Sequence, residues 1–271
     1  MAGSAPGGHK GKAPDPERWF SDWFQEDYLT LYQHRDTAEA RGFLDRILPE
    51  LDLRPPDWVL DLACGAGRHS HYLVEKGFRV VGFDLSRPLL LKASGSSRSS
   101  PIVWVQGDMR SISVQSKSMS AAVNLFTSFG YFLDDRDNIA VLREISRVLK
   151  SKGWLVLDTL NPNQVETSLV SQSRYRYPSD QKGQPDLQIT EERAIDREKH
   201  RVVKTINVRR GSQTKRFVES VRMYSVDELN DMLRSVSLNP ILLWGDYQGA
   251  DYHSQSSRII IGAQANADDT I

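Results

Sequence analysis

Cysteine is nearly absent from this chain: Cys64 stands alone in 271 residues. That excludes an internal disulfide and any metal site built on several thiolates, so no metal is expected, and it fits a reducing compartment, the cytoplasm. A charge surplus is missing as well. Lys plus Arg and Asp plus Glu number 35 each, so the electrostatic excess that drives binding to a phosphate backbone does not exist, and nucleic acid is not an expected partner. No run approaches the roughly 20 apolar residues that cross a bilayer, so no membrane partner is expected either. The opening MAGSAPGGHKGKAPDPER lacks the apolar core of a signal peptide and reads as a disordered tail over 1–17.

What is present changes texture along the chain. WFSDWFQEDYLTLY spaces Phe20, Phe24, Tyr28 and Leu31 three or four residues apart, the pattern of an aromatic-faced helix. A second helical pattern runs through Phe43, Leu44, Ile47, Leu48 and Leu51 and stops before Pro55 and Pro56. Residues 18–56 therefore read as a helical cap. From Trp58 onward short apolar runs alternate with amphipathic helices: WVLDLA, FRVVGFD, IVWVQGD, AAVNLF and WLVLDTL. That alternation predicts a parallel sheet with crossover helices on both faces. The spacing of Ile139, Leu142, Ile145, Val148 and Leu149 predicts a helix over 137–150.

After Asn161 the period changes to two. QITEERAI, VVKTINVRR and KRFVESVRMY read as strands in hairpins, with Val202, Ile206 and Val208 on one face and Phe217, Val221 and Met223 on another. Residues 163–223 are thus expected to form an antiparallel lid inserted into a core of 57–162 and 224–264, followed by a tail over 265–271. Ser225 and Glu228 match a capping box that opens a late helix. PILLWGD and SRIIIGA close the core as two strands.

The segment that carries chemistry is Val59-Leu60-Asp61-Leu62-Ala63-Cys64-Gly65-Ala66-Gly67-Arg68, a buried strand running into a glycine turn and a helix. Glycines there let the backbone turn sharply and approach a ligand, and the helix offers free N–H groups to an anion. Asp84 ends the next strand, where an acid about 20 residues on meets ribose hydroxyls. Asp108, in Gln106-Gly107-Asp108-Met109, ends the third strand within reach of an adenine amino group. The fourth strand opens into Phe126-Thr127 at the crevice where such sheets bind ligands.

In these residues the sequence resembles the class I S-adenosylmethionine (SAM) dependent methyltransferases, whose first motif is D-x-x-C/x-G-x-G with acids ending strands two and three. The resemblance covers about residues 57–161 and extends to the SRIIIGA strand. It implies an α/β, Rossmann-like, seven-stranded, mostly parallel sheet with helices on both faces and an antiparallel final strand, beside the small antiparallel β lid. It implies SAM as cofactor and S-adenosylhomocysteine as product, with methyl transfer by in-line displacement to a small-molecule acceptor. Asp61, Ala63, Gly65 and Gly67 would approach the methionine moiety, Asp84 and Leu85 the ribose, Asp108 and Met109 the adenine, and Phe126 with Thr127 the far side. Many small-molecule members close an N-terminal helix over the cofactor, which suits Tyr28 and Tyr32, whose ring faces attract a sulfonium. Lys152-Gly153 stands where many members carry Pro-Gly-Gly, and is still expected to turn. The Asn/Asp-Pro-Pro-Tyr/Phe motif of nucleobase amino methyltransferases is missing, which points to another acceptor.

Other residues carry two readings. Arg68 pairs with the cofactor's carboxylate or lies on a solvated helix face. Cys64 is read as a small buried turn residue, His71 as structural, and Trp23 and Phe24 as packing. His69, Tyr131 and His253 are the candidates for an acceptor's base; Tyr247 and Tyr252 are further acceptor candidates. Arg209, Arg210, Lys215 and Arg216 read as a solvated hairpin turn, and Asp158 as a local hydrogen-bond acceptor or an orienter of the acceptor molecule. A homodimer through the lid is allowed. The rival functions are a noncatalytic SAM-binding scaffold and an NAD(P)-dependent oxidoreductase, the latter weakened because Ser70 stands where a dinucleotide fingerprint wants Gly or Ala.

Overall fold

The computed structural model describes residues 19–24, 28, 37–95, 102–177 and 185–267. In chain order its elements are α1 (Trp19–Trp23), α2 (Thr37–Ile47), a 3-10 turn (Leu48–Glu50), β1 (Trp58–Leu62), α3 (Arg68–Glu75), β2 (Arg79–Asp84), α4 (Arg87–Gly95) and β3 (Ile102–Gln106). Then follow β4 (Met119–Asn124), α5 (Asp135–Val148), β5 (Leu149–Leu160), α6 (Pro162–Ser168), β6 (Gln172–Tyr177), β7 (Leu187–Asp196), β8 (Arg201–Arg210), β9 (Gln213–Arg222), α7 (Val226–Arg234), β10 (Leu238–Trp244) and β11 (Arg258–Ala265).

Seven strands form one sheet in the order β10-β11-β5-β4-β1-β2-β3. Pairings β1·β2, β1·β4, β2·β3 and β4·β5 are parallel, whereas β11 runs antiparallel between β10 and β5. This is the expected α/β architecture. Strand residues are buried on both faces, so alternate positions feed two cores. Val59, Val80, Val123 and Val156 pack under Phe43 and Leu44 of α2 and Leu73 of α3. Leu60, Val81, Ala122 and Leu155 pack under Leu142 and Ile145 of α5 and Leu229 and Leu233 of α7. Helix α5 begins two residues earlier than its apolar face indicates, because the Asp134 side chain accepts from Arg136 N and caps it. At Lys152-Gly153 the chain turns as a bulge inside β5: Lys152 has φ 60 and the partner register slips between Met119 and Ala121. The capping box of Ser225 and Glu228 opens α7.

A second, antiparallel sheet has the order β6-β7-β8-β9. Strand β6 and helix α6 escape the sequence reading: QSRYRY lacks apolar alternation, and α6 is nucleated by Asn161, whose side chain accepts from Asn163 N, with Pro162 in the first turn. The lid is tied to the core by Arg201, which is 3% exposed. Its guanidinium donates to the carbonyls of Gly130, Tyr131, Phe132 and Ser220 and to Ser220 Oγ at 2.7–3.0 Å. Arg222 N donates to Gly130 O at 2.8 Å, and a Cβ on Gly130, where φ is +90, would lie 2.7 Å from Arg222 O.

Removing Arg201 strands several buried carbonyls at once. Arg201→Met is therefore expected to cost about 3–5 kcal/mol. Hydrogen exchange checks it: protection should fall in β8, β9 and the 129–132 loop while β1, β4 and β5 keep theirs.

Candidate functional site

The chain order reverses between β1 and β4, and a cavity of about 990 Å³ opens at their carboxyl ends. Its floor is the turn after β1. Ala63 and Gly65 have φ of 58 and 56, and the turn is stapled to β2: Cys64 N donates to Phe83 O at 3.1 Å and Gly65 N to Asp84 Oδ2 at 2.8 Å. The second Asp84 oxygen accepts from Ser86 N at 2.7 Å. Burial still pushes the Asp84 carboxyl up, against these backbone donors. Asp61, 2% exposed, accepts from Ser70 Oγ at 2.5 Å. Burial raises it to about 6, with Ser70 opposing and the Asp84 charge adding to the rise. Two buried carboxylates thus face one end of the cavity, a setting that a cationic ligand relieves.

Asp61, Ala63, Gly65, Arg68, Asp84 and Leu85 line this cavity, as do Tyr28, Asp108, Met109 and Phe126. Tyr32 lies outside the described residues. Gly67 does not line the cavity. Its φ is +80 and a Cβ there would come within 2.6 Å of the Trp104 ring, so this glycine lets α3 start against β3. Asp108 lines the cavity, but Arg110 takes both its oxygens at 2.7–3.2 Å. Burial pushes its carboxyl up, and Arg110 more than offsets this, holding it below the usual range. Cys64 is buried with its thiol pushed up by burial, which matches an unreactive turn residue.

Of the candidate bases, His69 and Tyr131 line the cavity. His253 does not. It is exposed in the β10–β11 connection, where its N–H donates to Ser256 Oγ and its Nδ1 accepts from Gln255 N, a local turn directed to solvent. His69 is 5% exposed and its Nε2 has no hydrogen-bond partner. Burial, together with the neighbouring Arg68 charge, lowers it to about 3, so its ring is neutral at physiological pH and a weak base.

The wall after β4 is strained. Phe126 and Thr127 both take positive φ, 57 and 63, at a cost of about 1–3 kcal/mol each. Asp158, wholly buried at the end of β5, holds the turn by accepting from Phe126 N at 2.6 Å, Tyr247 Oη at 2.7 Å and Arg258 Nε at 2.7 Å. Arg258 also donates to Thr127 Oγ1 at 2.6 Å. The Phe126 ring lies between Tyr247, stacked at 4.7 Å, and the Arg68 guanidinium at 3.6 Å. Tyr247 is therefore a strut behind the wall, and Tyr252 is outside the lining.

Across the cavity stand α1 and the inner face of the lid. Trp19 meets Tyr131 edge-on at 4.9 Å, and Trp23 packs on Phe217 at 4.6 Å while its Nε1 donates to Glu219 at 2.5 Å. Arg193, Lys204 and Glu219 also line the cavity. Sequence reasoning missed all three. The signal was there in parity: Lys204 shares the face of Val202 and Ile206, and Glu219 that of Phe217 and Val221.

Comparisons with known proteins place the chain among methyltransferases. Residues 59–153 match a family model described as a methyltransferase domain. A glycine/sarcosine N-methyltransferase of Aphanothece halophytica is 34% identical over 182 residues, 61% of this chain and 67% of that one. The cypemycin N-terminal methyltransferase of a Streptomyces species is 28% identical over 203 residues, 75% of this chain and 81% of that one. The crystal structure of an S-adenosylmethionine-dependent methyltransferase from Clostridium acetobutylicum superimposes with a TM-score of 0.73 at 20% identity, covering 89% of this chain and 98% of that one.

The lowered His69 value has a direct consequence. Its imidazole NMR signals should not titrate between pH 8 and pH 5, whereas an ordinary histidine inflects near pH ~6.5. An inflection there would mean that the ring reaches water or an anion.

Proposed function

Because this chain belongs to the class I SAM-dependent methyltransferases, we propose that SAM is held against the 63–65 turn and that its methyl group passes to a small molecule admitted under the lid. The observation that carries this reading is one cavity with the glycine turn and two buried carboxylates at one end and an aromatic and lid wall at the other. The proposal assigns the core to 57–162 and 224–264, the lid to 163–223 and the cap to 18–56. A cytoplasmic setting belongs to the same reading, supported by the single, buried thiol.

When bound, SAM supplies a methyl group on a sulfonium, open to in-line attack by a nucleophile. The residues present fit such a ligand: a backbone turn with little in the way of an approaching molecule, Leu89 being 3.9 Å from where a Gly65 Cβ would stand, and the orphaned His69 Nε2 in the lining. Asp84 would take the ribose, Met109 and Asp108 the adenine, and the Arg68 guanidinium the amino-acid carboxylate. Asp61 and Asp84 supply the negative field that favours a cation. The rings of Tyr28 and Tyr131 in the lining add to that attraction. Alignment and water exclusion are then the main catalytic contributions. His69 is too weak a base at about 3 to serve as the proton acceptor; a hydrogen bond from or to its neutral ring is the role that its burial allows.

Two measurements test this reading. Incubation with methyl-labelled SAM and cell extract should put label into the acid-soluble, low-molecular-mass fraction; label confined to protein or nucleic acid would overturn the small-molecule acceptor. The second uses Asp61. Its carboxyl carries a proton below about pH 6, and a cation favours the ionised form, so binding must expel that proton. SAM affinity should therefore rise by up to about tenfold per pH unit from pH 5 to 6 and level off above, by calorimetry. Asp61→Asn should flatten the slope, and Asp84→Asn should weaken binding at every pH.

A further inference from the structure

Arg68 is the first residue of α3, where the helix dipole disfavours a cation. Its position therefore rests on other groups. The Phe126 ring supplies one: Arg68 Cζ stands 3.6 Å from the centroid of that ring. Contact with a ring face spends none of the guanidinium's N–H donors, which are the atoms that grip a carboxylate. A long side chain that must meet an anion in one geometry gains affinity from being held in that geometry beforehand.

Behind Phe126 stands Tyr247, stacked on it at 4.7 Å and 23° and outside the cavity lining. Tyr247 Oη donates to Asp158 Oδ2 at 2.7 Å, and Phe126 N donates to the same oxygen at 2.6 Å. One carboxylate oxygen thus fixes both members of the stacked pair, one through its hydroxyl and the other through its backbone. Phe43 of α2 meets the Tyr247 ring edge-on at 5.3 Å. The segment that carries Tyr247 is braced as well: Gly245 N donates to Ala250 O at 2.7 Å, and Asp246 Oδ1 accepts from Gln248 N and Ala250 N at 2.9 and 3.1 Å. Burial and the neighbouring Asp158 charge push the Tyr247 hydroxyl up, so it keeps its proton and stays a donor at neutral pH. A wall that only closes a cavity needs a single apolar layer; here a hydrogen-bonded second layer fixes the ring that touches the cation.

We propose that Tyr247 is a positioning residue for the cofactor: stacked behind Phe126, it holds the Arg68 guanidinium in the orientation that meets the amino-acid carboxylate of SAM, and thereby sets how strongly the site prefers a ligand bearing that carboxylate. The inference rests on the methyl-transfer reading, with Arg68 as the carboxylate's seat, and deepens it. Because Tyr247 is outside the lining, its effect passes through the Phe126 ring. Asp84 and Asp108 are held by other partners, Gly65 and Ser86 for the first and Arg110 for the second. The adenosine end of the site is therefore independent of the stack.

The test compares S-adenosylhomocysteine with its decarboxylated analogue, which keeps the adenosine, the thioether and the amine and lacks only the carboxylate, by calorimetry at one pH. The wild type should bind adenosylhomocysteine at least about tenfold tighter. Tyr247→Leu should weaken adenosylhomocysteine about tenfold and the analogue less than about twofold, so that the preference disappears, whereas Tyr247→Phe, which keeps the ring, should hold the preference within about threefold. Phe126→Leu cuts the same link and leaves all three donors on Asp158, so it should show the same selective loss; it decides the matter if Tyr247→Leu does not fold. Equal loss for both ligands, as a merely structural role produces, or an unchanged preference in the leucine variants overturns the proposal. So does a wild type that binds the two ligands alike. A wild type that binds neither would instead strike the methyl-transfer reading itself.

Discussion

The structure turns on Asp158. A carboxylate at 0% exposure is tolerable only when its oxygens are filled, and here they accept from Phe126 N, Tyr247 Oη and Arg258 Nε. Those donors come from the end of β4, the β10–β11 connection and the start of β11. One buried anion thus collects three segments distant in sequence at the carboxyl edge of the sheet. Its bond from Phe126 N falls at the first of two consecutive left-handed residues, where it offsets part of their strain. The Phe126 ring then backs the Arg68 guanidinium, which lines the cavity. Strain, ion pair and binding wall are one object.

A second buried polar device has a different task. Arg201 binds four backbone carbonyls instead of a carboxylate, so burial pushes against its charge without a paired anion in its hydrogen-bond set. Its donors are spent on joining the lid to the loop that carries Tyr131. The distance between the lid and the glycine turn is therefore governed by a directional cluster of hydrogen bonds, not by apolar contact alone. Apolar packing tolerates sliding. Four hydrogen bonds aimed at fixed carbonyls do not.

How much of this the sequence disclosed follows from the range of each interaction. The strand-turn-helix of 59–68 and the acids at 84 and 108 are legible because each depends on residues a few positions apart, and period and turn chemistry are local. The packing reason for Gly67 was not legible, because it is Trp104 on another strand; nothing near residue 67 announces a ring 2.6 Å from its missing Cβ. That His253 lies outside the cavity lining was hidden for the same cause, since only the fold tells that its loop turns to Ser256. The Asp158 hub was half visible as an acid ending a strand, while Arg258 and Tyr247 have no local mark. Lys204 and Glu219 were legible in principle: strict parity assigns them to the apolar face, and a charge at an apolar position is itself a signal. Attention to the apolar residues alone passed over it.

The ionisable groups along the cavity fall into two sets. At the turn end, Asp61 and Asp84 are both pushed up by burial and have no cationic side chain among their hydrogen-bond donors. At the lid, Arg193 and Lys204 are matched by Glu191 and Glu219. Between them lie aromatic rings that keep the local dielectric low, so each set acts on its own neighbour with little screening. The energy stored by burying like carboxylates together is recovered when a sulfonium arrives, which ties the affinity of the site to the same burial that raises Asp61 to about 6.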